Sequence, residues 1–229
     1  MCVRYALNQW KAAIKAVAKA LGVELGGEEE APRYNVAPSQ LAPIVAAAPD
    51  GPRLQAMRWG LVPPADRHLP KPRLLTNARA ETMAQFPAFR AAVAQRRCLV
   101  PVNGFYEFKD LGARKEPYVL TLPDDEPFAL GGLWETPIGE SSPTFCVVTT
   151  EPNAIMRPIH SRMPLILTGK YLALWLGAET LDDRALAETM RQVPAERLQA
   201  RRVNPYVNNS RHEGPQCLAD PEPALPELF

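Results

Sequence analysis

The sequence has few of the residues from which metal sites and redox centres are built. It contains three histidines and four cysteines, and none of the cysteines is in Cys-x-x-Cys spacing. This pattern predicts that the protein uses no metal and no other cofactor. Cys98 and Cys146 lie inside apolar runs, where a cysteine behaves as a small buried hydrophobic residue. Cys217 lies near the end of the chain, and Cys2 is considered below.

Long apolar runs and net charge are also lacking. No apolar run approaches ~18 residues and no signal peptide is visible, so we expect neither a membrane partner nor secretion by that route. A reducing cytoplasm is the expected location. The net charge is +1, so no global field draws the chain to nucleic acid. A site for a polyanion must therefore be a local patch of positive charge.

The composition is that of a folded protein, with 46% hydrophobic residues, 22% charged residues and 25 prolines. The prolines divide the chain into short elements and argue against a helix bundle. Periodicity predicts helices over residues 9–21, 170–176 and 182–192, and a partial helix over 78–94 broken near Pro87. Strand patterns occupy residues 42–47, 54–61, 98–102, 105–109, 118–122, 128–133 and 145–150. We predict one α+β domain spanning 1–229, built on a curved, mainly antiparallel, barrel-like sheet with flanking helices, and a loose C-terminal tail over about 213–229.

The second residue of the chain is a cysteine. If Met1 is removed, Cys2 carries a free α-amine beside its thiol, with ordinary pKa values of about 7.7–8.0 and about 8.5. Such a 1,2-aminothiol condenses with an aldehyde to an imine, which the thiol then closes to a stable thiazolidine. No internal cysteine can do this. The alternative is that Cys2 is simply the residue that follows the start codon.

A polar segment, TNARAET at residues 76–82, follows two leucines. It is typical of a helix N-terminus, with Thr76 or Asn77 as the cap and Glu81 in the first turn. Capping would not prevent the Asn77 side chain from presenting its amide to a ligand.

Asn103-Gly104 is a strong signal for a hairpin turn. In the strand that follows, alternation places Phe105 and Glu107 on one face. A carboxylate among aromatic residues is costly unless it is paired or protonated. Burial would raise the pKa of Glu107 and suit it to proton transfer near neutral pH. The alternative is a glutamate on an edge strand with its charge in water.

Of the three histidines, His68 and His212 lie in polar loops and are expected at the surface. His160 is flanked by Pro158 and Pro164, which constrain its segment. Its ordinary pKa near ~6.5 makes it the candidate acid or base of this sequence. A structural role for a lone histidine remains the alternative.

Together these segments resemble the SOS-response-associated peptidase (SRAP) family, whose members process abasic sites in DNA. The resemblance covers nearly the whole chain and rests on motifs that occur in the family's order. They are MCVR at residues 1–4, YNVAP at 34–38, WGLVP at 59–63, NARAET at 77–82, RCLVP at 97–101, GFYEF at 104–108, TTEPNA at 149–154, HSRMP at 160–164 and VNN at 207–209.

The resemblance implies a covalent sensor of abasic sites in single-stranded DNA. The Cys2 amine would form a Schiff base with the ring-opened sugar, and the Cys2 thiol would close a thiazolidine. The resemblance assigns proton transfer to Glu107, and acid or base chemistry at the sugar hydroxyl and in reversal to His160. It assigns positioning of the substrate or the thiol to Asn77. It also implies AP-lyase-like β-elimination as a side activity, and removal of Met1 by the protein itself or by an aminopeptidase.

Three arginines, Arg4, Arg79 and Arg162, match family positions that line a DNA groove, and each lies beside a proposed catalytic residue. Binding through phosphates should be independent of sequence and sensitive to salt. We expect a monomer that associates with DNA in the cytoplasm. Two alternatives remain open: an autoproteolytic cysteine peptidase without DNA chemistry, and a non-covalent module that binds single-stranded DNA.

The chain departs from the family pattern at three points. Val3 replaces a glycine beside Cys2, and Phe108 replaces a tryptophan. The loop over residues 63–68 lacks a tryptophan that in the family helps to wedge the DNA. These departures bear on specificity, including any preference for a junction between single-stranded and duplex DNA, and leave the catalytic set intact.

Overall fold

The computed structural model describes residues 3–27, 29–136, 142–177, 183–190 and 193–222. Within these ranges the chain forms short strands and a few helices. The helices are α1 (Trp10–Leu21), α2 (Arg90–Gln95), α3 (Lys170–Leu176) and α4 (Asp183–Thr189). The strands are β1 (Tyr5–Leu7), β2 (Arg33–Val36), β3 (Leu41–Ala46), β4 (Arg53–Trp59), β5 (Asn77–Arg79), β6 (Arg97–Val102), β7 (Gly104–Asp110), β8 (Lys115–Thr121), β9 (Phe128–Glu135), β10 (Thr144–Thr150), β11 (Met163–Pro164), β12 (Ile166–Leu167) and β13 (Gln199–Arg202).

Five of the strands close into a barrel. The pairs β4–β3, β3–β6, β6–β9 and β9–β10 are antiparallel, and the parallel pair β10–β4 completes the ring. Strand β5 pairs in parallel with β10 beyond the end of β4, while β11 and β12 extend the seam between β10 and β9. The predicted α+β domain with a curved, mainly antiparallel, barrel-like sheet is therefore confirmed.

A second sheet, with the antiparallel order β13-β8-β7-β1-β2, lies against the barrel. The hairpin predicted at Asn103-Gly104 is wrong, because β6 pairs inside the barrel whereas β7 pairs with β1 and β8. The two residues form a corner between the sheets. A Cβ at Gly104 would lie 3.0 Å from the Leu120 carbonyl oxygen, so β8 approaches too closely for any larger residue.

Four buried aromatic residues join the second sheet to the barrel. The Tyr5 and Trp59 rings lie 5.4 Å apart between centroids, and Trp59 stacks on Phe145 at 6.0 Å. Phe105 belongs to the same core cluster. Burial of these large side chains fixes the N-terminal strand β1 against barrel strands β4 and β10.

The amphipathic helix predicted over residues 9–21 is confirmed as α1, which buries Trp10, Ala13, Ile14 and Val17. Gly22 ends it in the left-handed conformation, with φ 68°. The helix predicted over 170–176 is confirmed as α3, and that over 182–192 as α4, with residues 182, 191 and 192 outside the described ranges. None of the helices in the described ranges has the length and apolar character needed to span a membrane.

The partial helix predicted over residues 78–94 is wrong in its first part. Thr76 and Asn77 do not cap a helix, because Asn77–Arg79 form β5 and take backbone partners from β10. An irregular series of turns follows, and α2 begins only at Arg90.

The tail also departs from expectation over its described part. Residues Pro215–Leu218 form a 3-10 helix, and Cys217 is fully buried. The backbone N–H of Asn204 donates to the Ala219 carbonyl at 2.8 Å. This segment is held by packing rather than loose, and residues 223–229 lie outside the described ranges.

Candidate active site

Glu107 is a buried carboxyl group on β7, a strand with neighbours on both sides. Its exposed fraction is 1%, so the alternative of an edge-strand glutamate in water is wrong. It shares its face of β7 with Phe105, as alternation predicts. Burial disfavours the charged form and raises the pKa of Glu107 to about 7. The carboxyl group therefore changes its charge close to neutral pH.

The N-terminal segment runs beside Glu107. The backbone carbonyl of Arg4 accepts a hydrogen bond at 3.0 Å from the N–H of Tyr106, the residue next to Glu107. Cys2, the predicted nucleophile, lies outside the described residues, which begin at Val3.

The Arg4 side chain is held by groups from the distant VNN motif and from β2. Its Nη1 donates to Asn35 Oδ1 at 3.0 Å and to the Val207 carbonyl at 2.9 Å. Its guanidinium lies 5.9 Å from the Phe108 ring centroid, within the range of a cation–π contact. Arg4 thus ties the N-terminal segment to the loop at residues 207–209.

Asn35 belongs to the site, but the sequence analysis gave it no functional role. It is fully buried, and its Nδ2 donates to the carbonyls of Asn209 at 3.0 Å and His212 at 2.9 Å. The signal was its place in the YNVAP motif, but only the fold shows that this amide supports Arg4.

Asn77 occupies β5, opposite Val147 of β10. Its Nδ2 donates to Thr76 Oγ1 at 3.1 Å, while its buried Oδ1 has no hydrogen-bond partner among the described residues. The Trp59 indole N–H donates to the Thr76 carbonyl at 2.9 Å. The aromatic cluster thereby positions Asn77, and the amide oxygen is left as an acceptor for a ligand or water.

His160 lies in the turn before β11 and is half-buried. The backbone N–H of Arg162 donates to its Nδ1 at 3.0 Å, which assigns the proton of the neutral ring to Nε2. Burial lowers the pKa of His160, and the positive charge of Lys115 on β8 adds to this effect. The ring is therefore neutral at pH 7, with an N–H that can act as an acid.

Arg162 is held in a bidentate ion pair. Its Nη1 and Nη2 donate to the two Glu81 carboxylate oxygens at 2.9 and 2.8 Å, and Nη2 also reaches the Thr149 carbonyl at 2.7 Å. Burial opposes ionisation of Glu81, but the hydrogen bonds from Arg162 outweigh it, so the pKa of Glu81 is lowered. Glu81, predicted to support a helix, instead neutralises Arg162.

Arg79 differs from the other two arginines. It is exposed at the end of β5, and no ion pair or side-chain hydrogen bond engages its guanidinium among the described residues. Of the three arginines predicted to bind DNA, Arg79 is the one whose guanidinium is exposed with no ion pair or side-chain hydrogen bond in the described part of the chain, although its charge helps to lower the pKa of Glu81.

The described site residues come from two sheets. Strands β5 and β11 each pair with barrel strand β10, and they carry or flank Asn77, Arg79, His160 and Arg162. Glu107 and Arg4 come from the second sheet, and Lys115 brings the β7–β8 hairpin into electrostatic range of His160. Among the described residues, no group of three or more His, Cys, Asp or Glu side chains could hold a metal ion.

The fold and the site define a class: an α+β barrel protein whose two sheets carry a buried carboxyl group, a neutral histidine and three arginines. The sequence model described as SOS response associated peptidase (SRAP) matches residues 1–210 of the chain. The protein therefore belongs to the SRAP family.

Individual relatives agree with this assignment. The chain is 36% identical over 191 residues to the abasic site processing protein YoqW of Bacillus subtilis, covering 82% of this chain and 85% of that protein. It is 27% identical over 231 residues to the abasic site processing protein HMCES of Gallus gallus, and the match covers 86% of this chain and 68% of that protein. Among solved structures, a Bacteroides thetaiotaomicron protein superimposes with a TM-score of 0.79 at 26% identity, covering 96% of this chain and 99% of that one.

Proposed function

We propose that this protein processes abasic sites in single-stranded DNA by capturing them covalently through Cys2. The observation that carries the proposal is Glu107, a buried carboxyl group with a pKa near 7 beside the segment that leads from Cys2. The names of the relatives support the substrate, since they are abasic site processing proteins of a bacterium and a vertebrate.

Chain connectivity supports a meeting of the Cys2 amine and Glu107. Consecutive Cα atoms are about 3.8 Å apart, so the Cα of Cys2 lies within about 8 Å of that of Arg4. The Arg4 backbone is hydrogen-bonded to Tyr106, the neighbour of Glu107. Glu107 is therefore close enough to the start of the chain for its carboxyl group to exchange protons with the Cys2 amine, directly or through one water.

The proposed reaction begins at the C1′ aldehyde of the ring-opened sugar. The Cys2 amine forms a C–N bond to C1′, and the carbonyl oxygen takes a proton from the Glu107 carboxyl group. The attacking nitrogen returns one proton to the Glu107 carboxylate, and the proton given up by the Cys2 thiol on ionising releases that oxygen as water and leaves the iminium. The Cys2 thiolate then forms the C–S bond, and the C=N electron pair returns to nitrogen. The net change is aminothiol plus aldehyde to thiazolidine plus water.

The other site residues have separate proposed roles. His160, neutral with its proton on Nε2, acts as the acid or base at the sugar hydroxyl during ring opening and in reversal. Asn77 uses its open Oδ1 to position the sugar or the thiol. The intermediate iminium acidifies the C2′ proton, so β-elimination with strand cleavage is proposed as a side reaction.

The arginines are proposed to contact phosphates in different ways. Arg79 is available directly. Arg162 must exchange a Glu81 oxygen for a phosphate oxygen, which its bidentate geometry suits. The Arg4 guanidinium already donates hydrogen bonds to Asn35 and Val207. Its main proposed contribution is therefore to hold the N-terminal segment in place while adding positive charge to the site.

Self-removal of Met1 is a second candidate function, favoured by the peptidase description of the family model. It needs Cys2 and a proton-transfer group but no DNA. Arg79→Ala separates the two activities, since it should weaken DNA capture and leave the mass of the mature N-terminus unchanged.

The deciding experiment mixes protein of confirmed intact mass, with Cys2 free, and a single-stranded oligonucleotide carrying one abasic site. We expect a heat-stable adduct on a denaturing gel, with a mass equal to protein plus DNA minus one water. Cys2→Ser is the matched control, because it keeps the α-amine but has no thiol to close the ring. It should give an imine that only borohydride traps. Absence of any adduct from protein with a free Cys2 would refute covalent capture.

A further inference from the structure

An exposed aromatic residue with an arginine on each side lies next to the site. Phe86 is 52% exposed. The Arg79 carbonyl accepts hydrogen bonds from the backbone N–H groups of Thr82 and Met83. The Thr82 carbonyl accepts one from the Phe86 N–H, and the Phe86 carbonyl accepts one from the Arg90 N–H. These successive turns carry the chain from Arg79 past Phe86 to Arg90, the first residue of α2.

The charges along this segment favour a polyanion. Arg79 and Arg90 are both exposed, and among the described residues neither has an ion-pair partner. Glu81, the acidic residue between them, is neutralised by Arg162. Two exposed arginines without an ion pair in the described part of the chain therefore precede and follow Phe86 in the sequence, on a molecule whose net charge is only +1.

The Phe86 ring lines a preformed groove of about 330 Å³ together with Pro63, Pro64, Arg73 and Pro87. This volume is at the lower end of the range of about 300–1,000 Å³ found for ligand pockets. The part of the 63–68 loop that lines the groove, Pro63 to Ala65, contains no aromatic residue. Phe86 is thus the aromatic face that this groove offers to a planar ligand.

Ion pairs anchor the loop that forms the groove's other wall. The Asp66 carboxylate is buried and accepts two hydrogen bonds from the Arg73 guanidinium, at 2.5 and 3.0 Å. Arg67 is paired at 2.7 Å with the buried Glu135 on β9, which Arg96 also contacts at 2.8 Å. A groove held in this way loses little conformational freedom when a ligand enters.

We infer that the groove holds one nucleobase of single-stranded DNA, stacked on Phe86, within a few nucleotides of the abasic site while Arg79 and Arg90 contact the flanking phosphates. This inference rests on the proposed function, because it places the same strand that the site captures. Aromatic stacking and backbone cations are the combination that binds single strands without reading their sequence. Phe86 would then increase affinity for the flanking strand and would take no part in the chemistry.

The test is a double-mutant cycle in which the equilibrium Kd of wild type and variant is measured on two oligonucleotides. One oligonucleotide carries a single unreactive tetrahydrofuran abasic analogue. In the other, the three nucleotides on each side of that position also lack bases. We expect Phe86→Ala to weaken Kd roughly 10-fold on the first DNA and to leave Kd on the second unchanged, because no base remains to stack. Phe86→Trp should restore binding to the first DNA.

Leu41→Ala serves as the matched control, since Leu41 is another exposed large apolar residue, 43% exposed, at the start of β3. It should bind both DNAs as the wild type does. Equal losses for Phe86→Ala on both DNAs, or no loss on either, would overturn the stacking role. Adduct formation by the wild type is scored separately on a true abasic site, so failure of capture and failure of stacking remain distinguishable.

Discussion

At the scale of single residues, Glu107 shows how burial changes chemistry. A carboxyl group in water is ionised at pH 7, but Glu107 lies on an interior strand of its sheet and is only 1% exposed. Loss of hydration disfavours the charge and raises the pKa to about 7. Asn77 has a related property, because its buried Oδ1 lacks a partner among the described residues. A buried polar atom that has no partner among the described residues is common at functional sites.

The raised pKa makes a prediction about stability. The folded state binds the Glu107 proton more tightly than the unfolded state, whose pKa is near the ordinary 4.5. The pH-dependent cost of burying Glu107 is therefore absent below pH 4.5, grows between pH 4.5 and about 7 by one pKa unit's worth per pH unit, and reaches its full value above pH 7. We expect Glu107→Gln to gain stability relative to the wild type across this window, by up to about 3 kcal/mol at pH 8.

Urea unfolding of both proteins at pH 4.5, 6 and 8 measures this difference. Glu29→Gln provides a control, since Glu29 is a surface glutamate whose side chain is 55% exposed. A difference between wild type and Glu107→Gln that does not change with pH would show that the carboxyl group titrates near its ordinary pKa.

At the scale of elements, β9 closes the barrel by pairing with β6 on one side and β10 on the other. Its two adjacent glycines permit the close approach of these neighbours. A Cβ at Gly132 would lie 2.8 Å from Cys98 Sγ and 2.9 Å from the Cys146 carbonyl oxygen. A Cβ at Gly131 would meet the end of the Leu165 side chain at 2.8 Å, and that side chain can move more easily than backbone.

We expect Gly132→Ala to destabilise the fold by about 1–3 kcal/mol, as overpacking of a close-packed core does. Gly131→Ala should cost less because Leu165 can adjust. Gly26→Ala is the matched control, with no atom within 4 Å of its Cβ position. The free energies of unfolding in urea give the comparison, and equal values for Gly132→Ala and Gly26→Ala would contradict the tight seam.

At the scale of the whole molecule, DNA binding has to rely on local charge. The net charge of +1 supplies no long-range attraction. Much of the arginine content is already engaged, with Arg162 on Glu81, Arg67 and Arg96 on Glu135, and Arg73 on Asp66. The unpaired guanidinium groups beside the site therefore matter more than the total number of basic residues.

A salt titration tests this view. The slope of log Kd against log salt for single-stranded DNA should fall by about 0.7 in Arg79→Ala, the value for one lost phosphate contact. Lys19→Ala removes an exposed charge from α1 and should keep the wild-type slope. If both variants share the wild-type slope, Arg79 is not a phosphate contact.

Several elements were predictable because their signals are local. Strands β6 to β10 and helix α1 follow from alternation and helical periodicity, and the face shared by Phe105 and Glu107 follows from the pleat. The corner at Asn103-Gly104 was not predictable, because a turn signal does not say with which strands the next one pairs. Strand β5 was missed for a similar reason, since the partner that makes it a strand is β10, whose paired residues lie seventy positions later.

The sequence by itself determined the chemical inventory: an aminothiol at Cys2 once Met1 is gone, the ordered family motifs, and a glutamate that alternation turns toward an aromatic face. The catalytic roles drawn from them stay predictions. Only the tertiary structure decided that Glu107 is buried, that Glu81 neutralises Arg162, that Asn35 supports Arg4, and that Phe86 is exposed in a segment whose two arginines have no ion pair among the described residues. The physical reason is that burial and pairing depend on groups far apart in the chain, whereas reactivity and periodicity belong to neighbouring residues.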